Sequence, residues 1–283
     1  VRHEGNQAHA PSWRHWGAGG YPSDVLPTPC FVFGDAHLGA VPPAVEPTVL
    51  AFLRHARTAA RSVVVNGDLF DFWFEWRHVM PRQGFRVIAA LADLADAGIP
   101  VRWHAGNHDC WGGALLREDA GVTYGDGPYE GPIGGWRAWI HHGDGQRAEA
   151  DRSYRRWQTV LRHPAAIRAY RWLHPDLGTA LALGTSRTSR QHNAHDEGAG
   201  LRDVAFARLG AAGGPSLVVF GHAHARTLVR APSGGVYANP GAWMDDPVFL
   251  RVDDDRVALV RHRGSGEADV LDALDRRAEE ARR

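Results

Sequence analysis

Five short polar blocks carry the residues able to do chemistry. They are Gly34-Asp35-Ala36-His37, Gly67-Asp68-Leu69-Phe70-Asp71, Gly106-Asn107-His108-Asp109, His141-His142-Gly143-Asp144 and Gly221-His222-Ala223-His224. Carboxylate, amide oxygen and imidazole together are the donor set of divalent transition ions. Asp35/His37 and His222/His224 are i, i+2 pairs, a spacing that turns both side chains to one side of an extended chain. Asp68 is the natural shared carboxylate, Asn107 adds a neutral carbonyl oxygen, and His142 adds another imidazole. Asp35, His37, Asp68, Asn107, His142, His222 and His224 suffice for two cations a few ångströms apart that leave positions for water and substrate. Singly each block is weak, because a Gly-Asp pair is usually a turn and a lone buried histidine is usually a hydrogen-bonded core residue. Five in order carry the metal reading. His141 points away from His142 by strand alternation and reads as structural.

Each block follows an apolar run: Phe31-Val32-Phe33, Val63-Val64-Val65, Val101-Arg102-Trp103, Trp139-Ile140 and Leu217-Val218-Val219-Phe220. Ligand groups in open α/β sheets gather at the carboxyl ends of strands, so the blocks point to one shared site. Residues 30–33, 62–66 and 100–105 read as strands, with amphipathic helices at 45–60 and 85–97 between them, the second closed by Gly98 ahead of Pro100. From Gly121 onward short strands with Gly/Pro turns (122–124, 128–130, 136–142, 216–220, 226–230, 235–239, 248–252 and 256–261) suggest a second sheet. Residues 148–207 are helical and strand-poor, with Arg152, Arg155, Arg156, Arg162, Arg168 and Arg171 among Trp157, Leu161, Tyr170 and Trp172. They read as a cap inserted between the fourth and fifth blocks of a domain spanning 30–267. Residues 1–29 read as a poorly ordered leader, and 268–283 as a charged C-terminal helix.

Composition excludes several classes. The 283 residues, 44% hydrophobic, can bury one large core, and a formal net charge of +0 gives no bias toward nucleic acid. All 32 basic residues are arginine, so a lysine nucleophile, Schiff base or P-loop lysine is excluded. Two cysteines, Cys30 and Cys110, form no framework and fit a reducing cytoplasm. No secretory signal or membrane-spanning run is visible, so any membrane contact is expected to be peripheral.

The ordered blocks closely resemble the calcineurin-like metallophosphoesterase superfamily over residues 30–261. The resemblance implies an α/β, four-layer α-β-β-α sandwich of two mixed sheets with the inserted helical cap. It implies one metal held by Asp35, His37, Asp68 and His224, a second held by Asp68, Asn107, His142 and His222, and hydrolysis at phosphorus by water activated between them. His108 matches the block used for transition-state contact or leaving-group protonation, with Asp109 orienting it. Within the superfamily the chain looks most like bacterial UDP-2,3-diacylglucosamine pyrophosphatases of lipid A synthesis. The matching stretches are Gly67-Asp68-Leu69-Phe70-Asp71-Phe72-Trp73-Phe74-Glu75, Gly106-Asn107-His108-Asp109, His142-Gly143-Asp144-Gly145 and Trp172-Leu173-His174-Pro175-Asp176-Leu177-Gly178. Asp151 and Tyr154 match a D-x-x-Y element placed near the sugar, and Arg187 and Arg190 stand where that family carries a lysine-rich segment. Many of its members have arginine at the position of His108.

The resemblance implies hydrolysis of UDP-2,3-diacylglucosamine to UMP and lipid X with two divalent ions; the donor types suit manganese, iron or zinc better than calcium, and the resemblance favours manganese. The expected partners are a nucleotide-linked glycolipid and the inner-membrane surface, with no nucleic acid and no protein partner, at a cytoplasmic, peripheral location. Two alternatives are a less specific metallophosphoesterase acting on another nucleotide diphosphate or phosphodiester, and a non-catalytic binding module on the same fold.

Overall fold

The computed structural model describes residues 25–147, 149–190, 198–264 and 268–276, with backbone only for 185–190. Strand β1 (Cys30–Phe33) is followed by helix α1 (Val45–Ala59), β2 (Ser62–Val65), α2 (Phe85–Asp96) and β3 (Val101–His104). Then come β4 (Thr123–Gly125), β5 (Tyr129–Ile133) and β6 (Trp136–Ile140). Helices α3 (Arg152–Leu161), α4 (Pro164–Tyr170), α5 (Pro175–Arg190) and α6 (Ala199–Gly210) precede β7 (Leu217–Val219), β8 (Thr227–Arg230) and β9 (Val236–Asn239). The chain closes with β10 (Val248–Val252), β11 (Arg256–His262) and β12 (Ala268–Asp275).

A seven-stranded sheet has the order β12-β11-β10-β1-β2-β3-β4, and a five-stranded sheet the order β5-β6-β7-β9-β8. β1 to β4 run parallel, as do β6, β7 and β9, while β5, β8, β10, β11 and β12 are joined antiparallel. Both sheets are therefore mixed. Alternation along the strands divides the core. Phe31, Phe33, Val63 and Val65 pack with the buried faces of α1 and α2, whereas Cys30, Val32 and Val64 pack between the sheets against Ile140, Leu217 and Val219. On the far side of the second sheet, Val218, Phe220 and Tyr237 pack with Leu201, Ala205 and Leu209 of α6. The layers thus run helix, sheet, sheet, helix.

Three expectations change. β4, β10 and β11 join the first sheet rather than continuing the second, so the chain crosses between layers twice. The C-terminal helix expected over 268–283 is instead β12 from Ala268 to Asp275, paired antiparallel to β11, and 277–283 lie outside the described residues. The cap is smaller than 148–207, because Leu201, Ala205 and Leu209 at i, i+4, i+8 make α6 a layer of the sandwich. Of the leader, residues 1–24 lie outside the described residues. Leu26 is buried and donates its N–H to Pro132 O at 3.1 Å.

Helices α3, α4 and α5 form the cap. Ile167, Tyr170, Ala182 and Leu183 rest on an aromatic platform of Phe72, Phe74, Trp76 and Trp111. Two indoles peg it down: Trp76 Nε1–H donates to Leu173 O at 3.2 Å, and Trp111 Nε1–H to Leu161 O at 3.1 Å. Trp157, Val160, Trp172, Leu177 and Leu181 remain exposed, Trp172 by 91%.

Candidate metal centre

Parallel β1, β2 and β3 deliver the first three blocks to one edge of their sheet, and parallel β6 and β7 deliver the other two. The donors leave the strands on left-handed backbone: φ is 51° at Asp35, 45° at His37, 52° at Asp68, 61° at His222 and 56° at His224. Non-glycine residues seldom adopt this region, and clusters of such residues mark functional loops. The flanking glycines leave room for the donors. A Cβ on Gly106 would overlap Asp68 Oδ1, and one on Gly221 would stand 2.6 Å from Asp35 Oδ2.

Asp35, His37 and His224 form one group, and Asp68, His142 and His222 another, each with ligand atoms within 4.8 Å of one another. In the first, His37 Nε2 lies 3.3 Å from His224 Nε2, and His224 Nε2 lies 3.4 Å from Asp35 Oδ1. Donors about 2.0–2.2 Å from one cation stand roughly 3–3.5 Å apart, so these separations suit a common ion. Asp68 lies between the groups. Its Oδ1 accepts the His108 backbone N–H at 2.9 Å, while Oδ2 stands 3.2 Å from His142 Nε2 and 3.8 Å from His37 Nε2.

The donor chemistry also fits cations. His142 Nδ1 lies 2.8 Å from the Asn66 carbonyl, so that nitrogen carries a proton and Nε2 is the atom turned toward Asp68. His142 Nε2 and Asn107 Oδ1 are buried without a hydrogen-bond partner. Burial alone would raise the Asp68 carboxyl, but the neighbouring His142 and His108 hold it well below the usual carboxylate range. Burial likewise opposes a charge on His142, yet Asp68 lifts it well above an ordinary imidazole. Two buried carboxylates facing imidazoles call for positive charge at this spot.

His108 Nδ1 is 3.0 Å from Asp71 O and 3.6 Å from Asp71 Oδ1, leaving Nε2 turned inward, 4.0 Å from Asp68 Oδ2. Asp71 Oδ1 also lies 3.5 Å from His37 Nδ1. Asp109 does not act as the expected partner of His108. Its Oδ1 accepts Gly106 N–H and its Oδ2 accepts Leu69 N–H, both at 2.8 Å, so it clamps the second and third blocks together. Burial, followed by the Asp68 charge, pushes Asp109 up to about 7. Sequence reasoning missed Asp71 as the group behind His108, although its place three residues after Asp68 was a signal.

It also missed a network beneath the cap. Buried Asp144 Oδ2 accepts Tyr154 Oη–H at 2.8 Å, Gln158 Nε2–H at 3.0 Å and Arg162 Nη2–H at 3.2 Å. Tyr154 is thus bound inward. Asp151 is too, receiving Arg147 Nη2–H at 2.8 Å and Arg147 N–H at 2.9 Å. The side chains of Arg187 and Arg190, on the last turns of α5, lie outside the described residues. His141 accepts Gly143 N–H at 2.9 Å and stacks on Trp139, a structural placement.

This sandwich, with paired acid–imidazole clusters at its strand ends, defines a class: the chain belongs to the calcineurin-like phosphoesterase family, whose model matches residues 28–226. Membership implies a dinuclear divalent-metal site. Among curated relatives, the UDP-2,3-diacylglucosamine hydrolase of Porphyromonas gingivalis is 35% identical over 161 residues, 56% of this chain and 62% of that protein. The protein of the same name from Neisseria meningitidis serogroup C is 30% identical over 237 residues, 82% of this chain and 97% of that one. The match therefore spans under two thirds of the first relative's length. A dimetal phosphatase from Danio rerio superimposes with a TM-score of 0.41 at 12% identity, covering 86% of this chain and 98% of that one.

Proposed function

We propose that the chain is a dinuclear-metal hydrolase that cleaves the pyrophosphate of UDP-2,3-diacylglucosamine into UMP and 2,3-diacylglucosamine 1-phosphate. The observation that carries this is Asp68 Oδ2, lying against His142 of one donor group and His37 of the other. On this reading Asp35, His37, Asp68 and His224 hold one ion, and Asp68, Asn107, His142 and His222 the other. The relatives' names support the substrate. The donor set suits manganese, with iron and zinc as its competitors.

When bound, the two cations lower the pKa of water and neutralise charge on phosphoryl oxygens. The oxygen of water joins the α-phosphorus, and the bond from that phosphorus to the bridging oxygen breaks. His108 Nε2 then donates a proton or hydrogen bond to the departing 1-phosphate, with Asp71 holding the opposite ring nitrogen. The cap exposes Trp157 and Trp172 and also Arg156, Arg168 and Arg171, side chains of the kinds suited to an anionic bilayer surface.

A second reading, a less specific metallophosphoesterase, is favoured by one observation: Asp151 and Tyr154, the implied sugar contacts, are both engaged internally. One experiment separates the two. Purified protein with added manganese should release UMP from UDP-2,3-diacylglucosamine at a kcat/KM at least a hundredfold above that for UDP-glucose. Equal rates would favour the broader enzyme, and no release from either, with bis(p-nitrophenyl) phosphate also left intact, would reject both. Flotation with anionic but not neutral liposomes should accompany the first reading.

A further inference from the structure

The fifth block gives one imidazole to each donor group, His222 to one and His224 to the other, both on left-handed backbone with Ala223 between them. Non-glycine residues keep that conformation only where their surroundings fix them. Here the Gly221 peptide is the fixed point. Its N–H donates to His142 O at 2.7 Å, and its carbonyl accepts Ala223 N–H at 2.6 Å. His222 N–H, next along the chain, points at the Asp35 carboxylate, 3.1 Å from Oδ2. From the other side the Gly221 carbonyl is held by a side chain, Asn239, at the end of β9. Asn239 is fully buried; its Nδ2–H donates to Gly221 O at 2.9 Å, and its Oδ1 accepts Gly241 N–H at 2.9 Å. A carbonyl only accepts and an N–H only donates, so these partners fix which way round the amide lies. Gly241 turns the chain at φ 83°, and a Cβ there would stand 3.2 Å from Arg226 Cβ, two residues past His224. A little further on, Trp243 N–H donates to Gly34 O and Met244 N–H to Asp35 O, both at 3.3 Å. The stretch that leaves β9 thus touches the fifth block at its start and beyond its end, and the first block at its ligand.

We infer that Asn239 is a positioning residue for the metal centre: its amide sets the Gly221 carbonyl, and through it the two imidazoles that the fifth block sends to separate ions. This rests on the reading of His222 and His224 as ligands. The chemistry of the position calls for an amide of this length, because one group must be given a proton and the other must be offered a lone pair. A charged aspartate would accept from Gly241 but set a second acceptor against Gly221 O. A leucine would fill the space and leave both backbone groups unpaired, and a glutamine would carry its amide one methylene too far. Partners that aim a metal ligand without touching the ion contribute about 10–100-fold to metal affinity, and the effect expected of Asn239 lies in that range.

The test sets this hydrogen bond against another that is equally buried. Ser62, fully buried at the end of β2 remote from the donors, gives its hydroxyl proton to Pro27 O at 2.7 Å. Asn239→Ala and Ser62→Ala should both lower the Tm of the chelated protein. Only Asn239→Ala should weaken manganese binding, by at least tenfold when free manganese is titrated by electron paramagnetic resonance. It should also shrink the rise in Tm that a fixed manganese concentration brings, while Ser62→Ala keeps the wild-type rise. An Asn239→Ala protein that binds manganese like wild type overturns the proposal, as does a Ser62→Ala protein that loses as much affinity. A further measurement needs no variant. In the wild-type protein stripped of metal, the side-chain amide protons of Asn239 should exchange slowly by nuclear magnetic resonance, because the amide sets the block before an ion arrives. Exchange as fast as that of an exposed asparagine overturns the proposal even where Asn239→Ala does not fold. A wild-type protein that takes up no manganese would overturn the ligand assignment and this proposal together, whereas the other failures leave that assignment standing.

Discussion

Asp68 and His108 face each other at 4.0 Å, yet their removal should have different consequences. Asp68→Ala takes away the carboxylate that the proposed assignment shares between the two ions. It should abolish stoichiometric metal binding, measured by elemental analysis, and reduce kcat by at least about a thousandfold. His108→Ala should retain its metal content and lose roughly a hundred- to ten-thousandfold in kcat, the usual contribution of a positioned acid. Wild-type-like turnover by Asp68→Ala would refute the ligand assignment. His104, at the end of β3, tests acid stability away from these ligands. Burial, opposed by its bond to the Gly127 carbonyl, pushes it down to about 3. An unfolded histidine titrates near 6.5, so below that pH the unfolded chain takes up a proton that the folded one refuses. Full stability is present above pH 6.5 and is lost as pH falls toward 3, at about 1.4 kcal/mol per pH unit. His104→Gln should lose about 2 kcal/mol less than wild type between pH 7 and pH 5 in urea unfolding. An identical pH dependence would count against the buried neutral imidazole. The acid–imidazole clusters were legible because each member has a side-chain type that little else explains at a strand end. Asp71 and Asp109 were not, because an aspartate in a tight turn reads equally as cap, clamp or partner, and only the distances separate those roles.

Among the elements, the strands that carry donors announce themselves by short apolar runs bounded by glycine. Which sheet each strand joins does not appear in that signal. β10 and β11 are apolar on both faces, and nothing local says that β10 returns to pair with β1. β12 was disguised differently. Val270, Leu271 and Leu274 are spaced as on a helix face, whereas in the strand Leu271 and Leu274 pack toward the inter-sheet core and Val270 stays exposed. The cap boundary was readable, since the stripe Leu201, Ala205 and Leu209 is written in the sequence. That stripe has an experimental counterpart. Replacing residues 152–190 by a short Gly-Ser linker should abolish turnover of the diacylated substrate and keep hydrolysis of bis(p-nitrophenyl) phosphate within about tenfold. Extending the removal through α6 exposes Trp139, Val218, Phe220 and Tyr237 and should unfold the protein, seen as loss of a cooperative melt. A folded protein without α6 would return that helix to the cap.

For the whole molecule, the site joins the two halves of the sandwich. Asp35, His37 and Asp68 come from loops of the seven-stranded sheet, while His142, His222 and His224 come from loops of the five-stranded one. Ions bound to the folded chain at a hundred times their Kd add about 2.7 kcal/mol per site. Chelation should therefore lower Tm by roughly 5 °C or more, reversed by manganese, as scanning calorimetry would record. An unchanged Tm would mean that the halves do not share their ligands. The two tryptophan pegs also give the cap a clock. Each contributes a distinct indole proton held by a cap carbonyl, so deuterium exchange at those two protons times how often the roof lifts from the floor beneath it.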